Sequence, residues 1–212
     1  MLVQHPLEVV TPTVDGDVLA ALARADAGFT SGELARLIPQ HSVEGIRKVL
    51  NRLAAQGIVD GEQVGRAVQY RLNRDHLAAE AILALARQRA TLLERLRGVL
   101  AAWSPRPVYA ALFGSAARGD MRVDSDIDLF VVRPDGDVDD ARWEEQTGSL
   151  AAVVTRWTGN DARVLEMTEA EVRAGAAAGD PVLRSLLDEE IPVAGPTTWL
   201  RRTVREATGA RR

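Results

Sequence analysis

Apolar residues recur at helical spacing in three segments near the start of the chain and then alternate with polar residues. The first segment places Val18, Leu19 and Leu22 on one face, which predicts an amphipathic helix. The second opens with Thr30 and Glu33 at the spacing of a capping box, in which each side chain accepts a backbone hydrogen bond from the other residue. These patterns predict two short helices that pack their apolar faces into one core.

The third segment predicts a longer helix that carries several cations. Ser42 is a typical N-cap, and Gly57 is a typical residue just after a helix. An apolar stripe indicates the buried face of this helix: Val43, Ile46, Val49, Leu50 and Leu53. The alternating run over residues 58–72, interrupted by a glycine-containing turn, predicts a β-hairpin.

Three helices followed by a hairpin resemble the winged helix-turn-helix of bacterial regulators, and we assign residues 1–74 to such a DNA-binding domain. The resemblance implies that the helix after Ser42 is the recognition helix and that the hairpin is the wing. The expected DNA contacts are polar residues of these two elements: Arg47, Lys48, Asn51, Arg52, Arg66 and Arg71. The first 75 residues are nearly neutral in net charge, so charge alone does not distinguish DNA contacts from ordinary solvated side chains.

A single long helical pattern covers residues 75–104 and predicts a helix that links two domains. Its apolar residues include a seven-residue repeat: Leu85, Leu92 and Val99, with Leu96 between them. This spacing fits a homodimer interface, and packing against the chain's own domains fits it equally well. Beyond it, short β runs alternate with helices over residues 105–212. The fold class predicted for the whole chain is therefore α+β, with a C-terminal mixed sheet flanked by helices.

Composition narrows the functional classes. The 212 residues include no cysteine, which excludes disulfides and cysteine-ligated metal sites. A net charge of -4 argues against a generally basic nucleic-acid surface but allows a local one. No apolar run approaches the roughly 18 residues of a membrane span, and the first residues lack the pattern of a secretion signal. We therefore expect a cytoplasmic protein with no membrane partner.

The stretch with the clearest chemistry is "LFGSAARGDMRVDSDIDLFVV", residues 112–132. A short apolar strand ends at Gly114 and Ser115, where backbone N–H groups of a strand-to-helix turn can bind phosphate oxygens. The next strand places Asp126 and Asp128 on one face. Adjacent carboxylates repel unless a cation compensates them, and hard oxygen donors with open positions suit Mg²⁺. The residues therefore predict chemistry on a nucleoside triphosphate.

This stretch resembles the signature of the polymerase-β-type nucleotidyltransferase superfamily, and especially its minimal, antitoxin-like members. The signature is Gly-Ser, a spacer, and Ser-Asp-hydrophobic-Asp. The resemblance implies that Gly114 and Ser115 hold the β- and γ-phosphates, and that Asp126 and Asp128 ligate two Mg²⁺ ions. It also implies transfer of a nucleoside monophosphate to a protein or RNA acceptor, with release of pyrophosphate. Arg118, in the Arg-Gly pair of the signature, contacts phosphate or pairs with a nearby aspartate.

Members of this superfamily usually carry a third carboxylate on a later strand. Glu166, inside the predicted strand "DARVLEMT", is the first candidate, and Asp161 at the start of that strand is the second. If Glu166 completes the metal site, the chain is a magnesium-dependent transferase with a DNA-binding domain. If Glu166 is a solvated strand residue, the alternative is a DNA-binding transcription regulator whose inactive transferase fold only senses nucleotide.

Overall fold

The computed structural model describes residues 1–209, which divide into two compact units. One unit spans Leu2–Arg89, and the other begins at Ala90. Helices and two β-sheets make up these units, so the predicted α+β class is confirmed. No helix within residues 1–209 has both the length and the hydropathy of a membrane span.

The N-terminal unit has the predicted order of three helices and a hairpin. After a 3₁₀ turn its elements are α1 (Val14–Arg24), α2 (Ser31–Leu37), α3 (Val43–Ala55), β1 (Val59–Val64), β2 (Ala67–Leu72) and α4 (Ala79–Ala86). Thr30 and Glu33 form the capping box before α2, and the Ser42 side chain accepts a hydrogen bond from the Gly45 N–H before α3. β1 and β2 pair antiparallel, and Tyr70 packs with the helices in one core. The classification of this unit as a winged helix-turn-helix stays a prediction.

Two helices take the place of the single linking helix expected over residues 75–104. α4 ends at Ala86, and α5 spans Gln88–Ala101. The two helices belong to different units, because Ile82 of α4 packs into the core of the N-terminal unit, whereas α5 lies almost wholly in the second unit. Leu92 and Leu96 of α5 are already buried within the chain. The homodimer therefore stays a prediction, and packing within the chain explains these two leucines.

The second unit contains a mixed four-stranded sheet, as predicted. Its further elements are β3 (Tyr109–Phe113), α6 (Gly114–Arg118), β4 (Ile127–Arg133), α7 (Asp140–Thr158), β5 (Ala162–Thr168), α8 (Glu169–Ala178), α9 (Pro181–Glu189), β6 (Ile191–Ala194) and α10 (Trp199–Ala207). The strand order is β5-β4-β3-β6, with β4 and β5 parallel and the other pairs antiparallel. β5 and β6 are therefore the edge strands.

One face of this sheet forms an apolar core with α8, α9 and α10. Tyr109 and Phe130 are fully buried in it, and the Tyr109 ring stacks on Trp199 with 5.4 Å between the ring centroids. Side chains alternate along β4, so Asp128 lies on the same face as Phe130. The candidate site lies at the Asp128 end of this face, where the side chains are charged and no longer apolar.

Candidate functional site

Gly114 brings the turn after β3 directly against Asp128. β3 and β4 pair antiparallel, and Phe113 is the partner of Asp128. Gly114 has φ +66°, in the left-handed region that favours glycine, and a Cβ built on it would lie 2.6 Å from Asp128 Oδ2. A side chain at this position would collide with the carboxylate. The Gly-Ser turn and the Asp-x-Asp strand of the signature therefore form one site.

A buried amide anchors the loop that leads to Asp126. Asn160 is 3% exposed, and its Nδ2 donates a hydrogen bond of 2.9 Å to the Ser125 carbonyl. The Ser125 hydroxyl in turn accepts a 2.8 Å hydrogen bond from the Arg122 N–H. Asn160 is a functional candidate that the sequence analysis missed. An asparagine after the helix-ending Gly159 is so common in turns that its sequence position gave no signal of this role.

Asp126 and Asp128 lie close enough to interact electrostatically. Burial raises the pKa of Asp128, and the negative charge of Asp126 raises it further. The positive charges of Arg163 and Arg118 oppose this rise in pKa. Two neighbouring carboxylates, one of them with a raised pKa, form an arrangement that a bound cation would stabilise.

Arg163, not Glu166, is the β5 neighbour of the two aspartates. The parallel register pairs Asp128 with Arg163 and pairs Val131 with Glu166. Arg163 NH1 lies 2.8 Å from Asp126 Oδ2. Glu166 lies three residues further along β5, about 10 Å at about 3.3 Å per residue, and on the opposite face of the sheet. The structure corrects the expectation that Glu166 faces the aspartates.

The edge position of β5 explains this difference. A carboxylate that points away from the cleft would be costly if its side chain were buried in the core. Glu166 is instead exposed, so its charge needs no partner. Asp161, the second candidate, is also exposed, and its Oδ2 lies 3.7 Å from Arg163 Nε. Asp161 is therefore linked to the site through Arg163.

Arg118 lies near the aspartates, but carboxylates already hold its guanidinium. Nε donates a 3.1 Å hydrogen bond to Asp120, and NH1 forms an ion pair with Glu189 at the end of α9. Burial alone would raise the pKa of Glu189, but hydrogen bonds from Ser185 and Arg118 hold that pKa below its ordinary value. The negative charge of Glu189 also raises the pKa of Asp128. Sequence reasoning missed Glu189 because it lies far along the chain from the signature.

The donor set fits a divalent ion shared with phosphate oxygens. Asp126 and Asp128 supply the hard oxygen donors that Mg²⁺ prefers. Over the part of the chain that the structure describes, no group of three or more acidic or histidine side chains is placed to hold a metal ion. Arg163, a cation, occupies the position on β5 beside Asp128. A third acidic ligand on this strand would be expected there. These residues therefore do not form the three-carboxylate site expected from the resemblance.

In the N-terminal unit, two of the residues expected to bind DNA are engaged within the fold. The Asn51 side-chain oxygen accepts a 2.8 Å hydrogen bond from the Tyr70 hydroxyl, which ties α3 to β2. Arg52 forms an ion pair with Asp15 of α1. These contacts give Asn51 and Arg52 structural roles in the free protein.

The other expected DNA contacts are more accessible. Arg47 pairs with Glu44 at 2.7 Å on the exposed side of α3, and Arg71 lies 3.6 Å from Asp60 across the hairpin. The side chains of Lys48 and Arg66 are exposed and make no hydrogen bond or ion pair with any residue in the described range. These four side chains of α3 and the hairpin are therefore accessible to a ligand in solvent.

One family model matches part of the second unit. Residues 93–156 match the nucleotidyltransferase domain family. The matched range includes the Gly-Ser turn and both aspartates and ends before β5. A search of curated proteins found no match.

Solved structures give partial matches. One is described as a toxin-antitoxin with AMP-PNP; it is 16% identical, covers 55% of this chain and 84% of its own, and has a TM-score of 0.40. Another is a mutant of the toxin-antitoxin MntA-HpeT, 14% identical, with coverages of 55% and 84% and a TM-score of 0.39.

Proposed function

We propose that this chain binds a nucleoside triphosphate in its second unit and transfers a nucleoside monophosphate to a protein or RNA acceptor, with release of pyrophosphate. The observation that carries the proposal is the contact between the Gly114 turn and the Asp128 carboxylate. A phosphate-binding turn and a metal-binding acid are thereby brought into one site. The family match over residues 93–156 supports the same reaction class.

In this proposal, Asp126 and Asp128 are the residues that hold Mg²⁺. A bound ion neutralises phosphate charge and stabilises the charge that develops during phosphoryl transfer. Gly114 and Ser115 present backbone N–H groups to the β- and γ-phosphates. Arg118 positions the turn through its contacts with Asp120 and Glu189. The donor set supports one shared ion better than the two ions that the resemblance implies.

We also propose that the N-terminal unit binds DNA as a winged helix-turn-helix, with α3 in the major groove and the hairpin as the wing. Lys48 and Arg66 are the best phosphate contacts because they are exposed and have no partner within residues 1–209. Arg47 is available as well, since an exposed ion pair with Glu44 contributes little stability. Asn51 is expected to matter more for stability than for DNA, because Tyr70 already holds it.

The register of β5 favours a second candidate function, a DNA-binding regulator that senses nucleotide without transferring it. In the family that the signature resembles, the third carboxylate can take the acceptor's proton. Arg163 stands beside Asp128 at that place in the sheet, and a guanidinium cannot act as a base. Binding of a triphosphate would then change the DNA affinity of the N-terminal unit without chemistry.

One experiment separates these functions. The intact protein is incubated with Mg²⁺, a cell lysate and each triphosphate labelled at the α-phosphate, and its triphosphate affinity is measured by calorimetry. Labelled protein or RNA supports transfer. Triphosphate binding without label supports the sensing regulator, and absence of binding contradicts both.

A further inference from the structure

Arg163 holds one of the two aspartates in the absence of a ligand. Its NH1 lies 2.8 Å from Asp126 Oδ2, and its Nε lies 3.7 Å from Asp161 Oδ2. The Arg163 side chain is 66% exposed, whereas the Asp126 side chain is 27% exposed. The Arg163 guanidinium is therefore paired with Asp126 but largely open to solvent, so it has space into which it can move.

We propose that Arg163 is a substrate-positioning residue that changes partner when nucleotide binds. It pairs with Asp126 in the free protein, and it pairs with a phosphate group of the triphosphate in the complex. This inference rests on the proposed triphosphate site. It adds a residue that lies outside the signature and at the place where the sequence analysis expected an acid.

Charge favours the release of Arg163 from Asp126 when a metal ion binds. A divalent ion and a guanidinium on the same carboxylate repel each other, so metal binding weakens the pair between Arg163 and Asp126. Exposed ion pairs contribute little to stability, so the interactions of the ligand readily offset the loss of this pair.

The geometry supports the pairing of Arg163 with a phosphate group in the complex. Arg163 is next to Asp128 in the sheet register, and Asp128 is next to the Gly114 turn, so triphosphate held at the turn lies within the reach of a long side chain. A guanidinium binds phosphate oxygens through two parallel hydrogen bonds. The other arginine named near the aspartates, Arg118, is less exposed, at 45% against 66% for Arg163, and it pairs with Glu189, whose side chain is only 11% exposed. Arg163 is therefore the cation that is better placed to change partner.

The test uses Arg163→Gln in the full chain and two calorimetric titrations, one with Mn²⁺ alone and one with a non-hydrolysable triphosphate analogue plus Mg²⁺. The variant should bind Mn²⁺ at least threefold more tightly, because no guanidinium competes for Asp126. It should bind the triphosphate at least tenfold more weakly, because a phosphate contact is lost. Arg163→Lys should keep the competition with Mn²⁺ and recover part of the triphosphate affinity.

Arg173→Gln is the matched control. Arg173 is also an exposed arginine that lies between two carboxylates, Asp135 at 3.1 Å and Glu169 at 3.0 Å, on another part of the same unit. This variant should change neither titration. If Arg163→Gln shifts both affinities in the same direction or leaves either unchanged, Arg163 does not exchange partners. If the wild-type protein does not bind triphosphate at all, the proposed function itself fails.

Discussion

Replacing Gly114 by alanine places a methyl group on the Asp128 carboxylate. The new Cβ would lie 2.6 Å from Oδ2, whereas ordinary contact begins at 3.4 Å, so the carboxylate has to move by about 0.8 Å. The backbone adds a second cost, because an alanine at φ +66° is less stable than glycine by about 1–2 kcal/mol. Domains are typically stable by about 5–15 kcal/mol, so the variant should remain folded.

The displaced carboxylate should lower the affinity for triphosphate with Mg²⁺ at least tenfold, about 1.4 kcal/mol. Calorimetry measures this affinity, and denaturant unfolding measures the loss of stability in the same preparation. Gly136→Ala is the control, because Gly136 has φ +110° but no atom within 4 Å of the position that a Cβ would take. It should destabilise the same unit and leave triphosphate affinity unchanged. Wild-type affinity in Gly114→Ala would refute the claim that the turn and Asp128 act together.

Two further predictions concern DNA binding and the core. The double variant Lys48→Ala/Arg66→Ala should weaken DNA binding in a shift assay. It should also reduce the slope of log affinity against log salt by about 2, since each phosphate contact contributes about 0.9. An unchanged slope would show that neither residue contacts phosphate. Burial raises the pKa of Glu190, which accepts a 2.6 Å hydrogen bond from the Tyr109 hydroxyl. The raised pKa favours the neutral acid in the folded state, so this contribution to stability is present at low pH and is lost as pH rises through the folded pKa. The difference in melting temperature between Glu190→Gln and wild type should therefore be more favourable to the variant at pH 7 than at pH 4. The exposed-site control Glu206→Gln should show no such trend. Equal differences at both pH values for Glu190→Gln would contradict this explanation.

Local patterns in the sequence were sufficient to predict the helix starts and the site signature. The capping box of Thr30 and Glu33 involves residues three apart, so its chemistry is visible in the sequence. Gly114 and Asp128 are likewise joined by one short connection between paired strands. Features of this kind depend on few residues, and distant packing does not change them.

The relation of β5 to β4 could not be predicted in the same way. Alternation indicates which β5 residues share a face, but the register decides whether Arg163 or Glu166 lies beside Asp128. A shift of three residues moves a side chain by about 10 Å and to the other face of the sheet. The contact of Arg118 with Glu189 also depends on long-range packing, because two helices and two strands lie between α6 and α9 in the chain.

The break between α4 and α5 has a similar origin. The helical pattern is continuous through Arg87, and nothing in the local sequence requires a helix to end there. α4 packs into the core of the N-terminal unit, whereas the buried leucines of α5 belong to the second unit. Helix propensity therefore does not predict the break between α4 and α5, which depends on tertiary packing.

The most direct test of the triphosphate site is a titration of the intact chain with a nucleoside triphosphate, with and without Mg²⁺, compared with Asp126→Asn/Asp128→Asn. Wild type should bind the triphosphate only when Mg²⁺ is present. The double variant should lose this binding and keep its fold, because the replacements are isosteric and remove the repulsion between two carboxylates. Equal affinity in the double variant, or no binding by the wild type, would contradict the assignment of Asp126 and Asp128 as the metal-dependent triphosphate site.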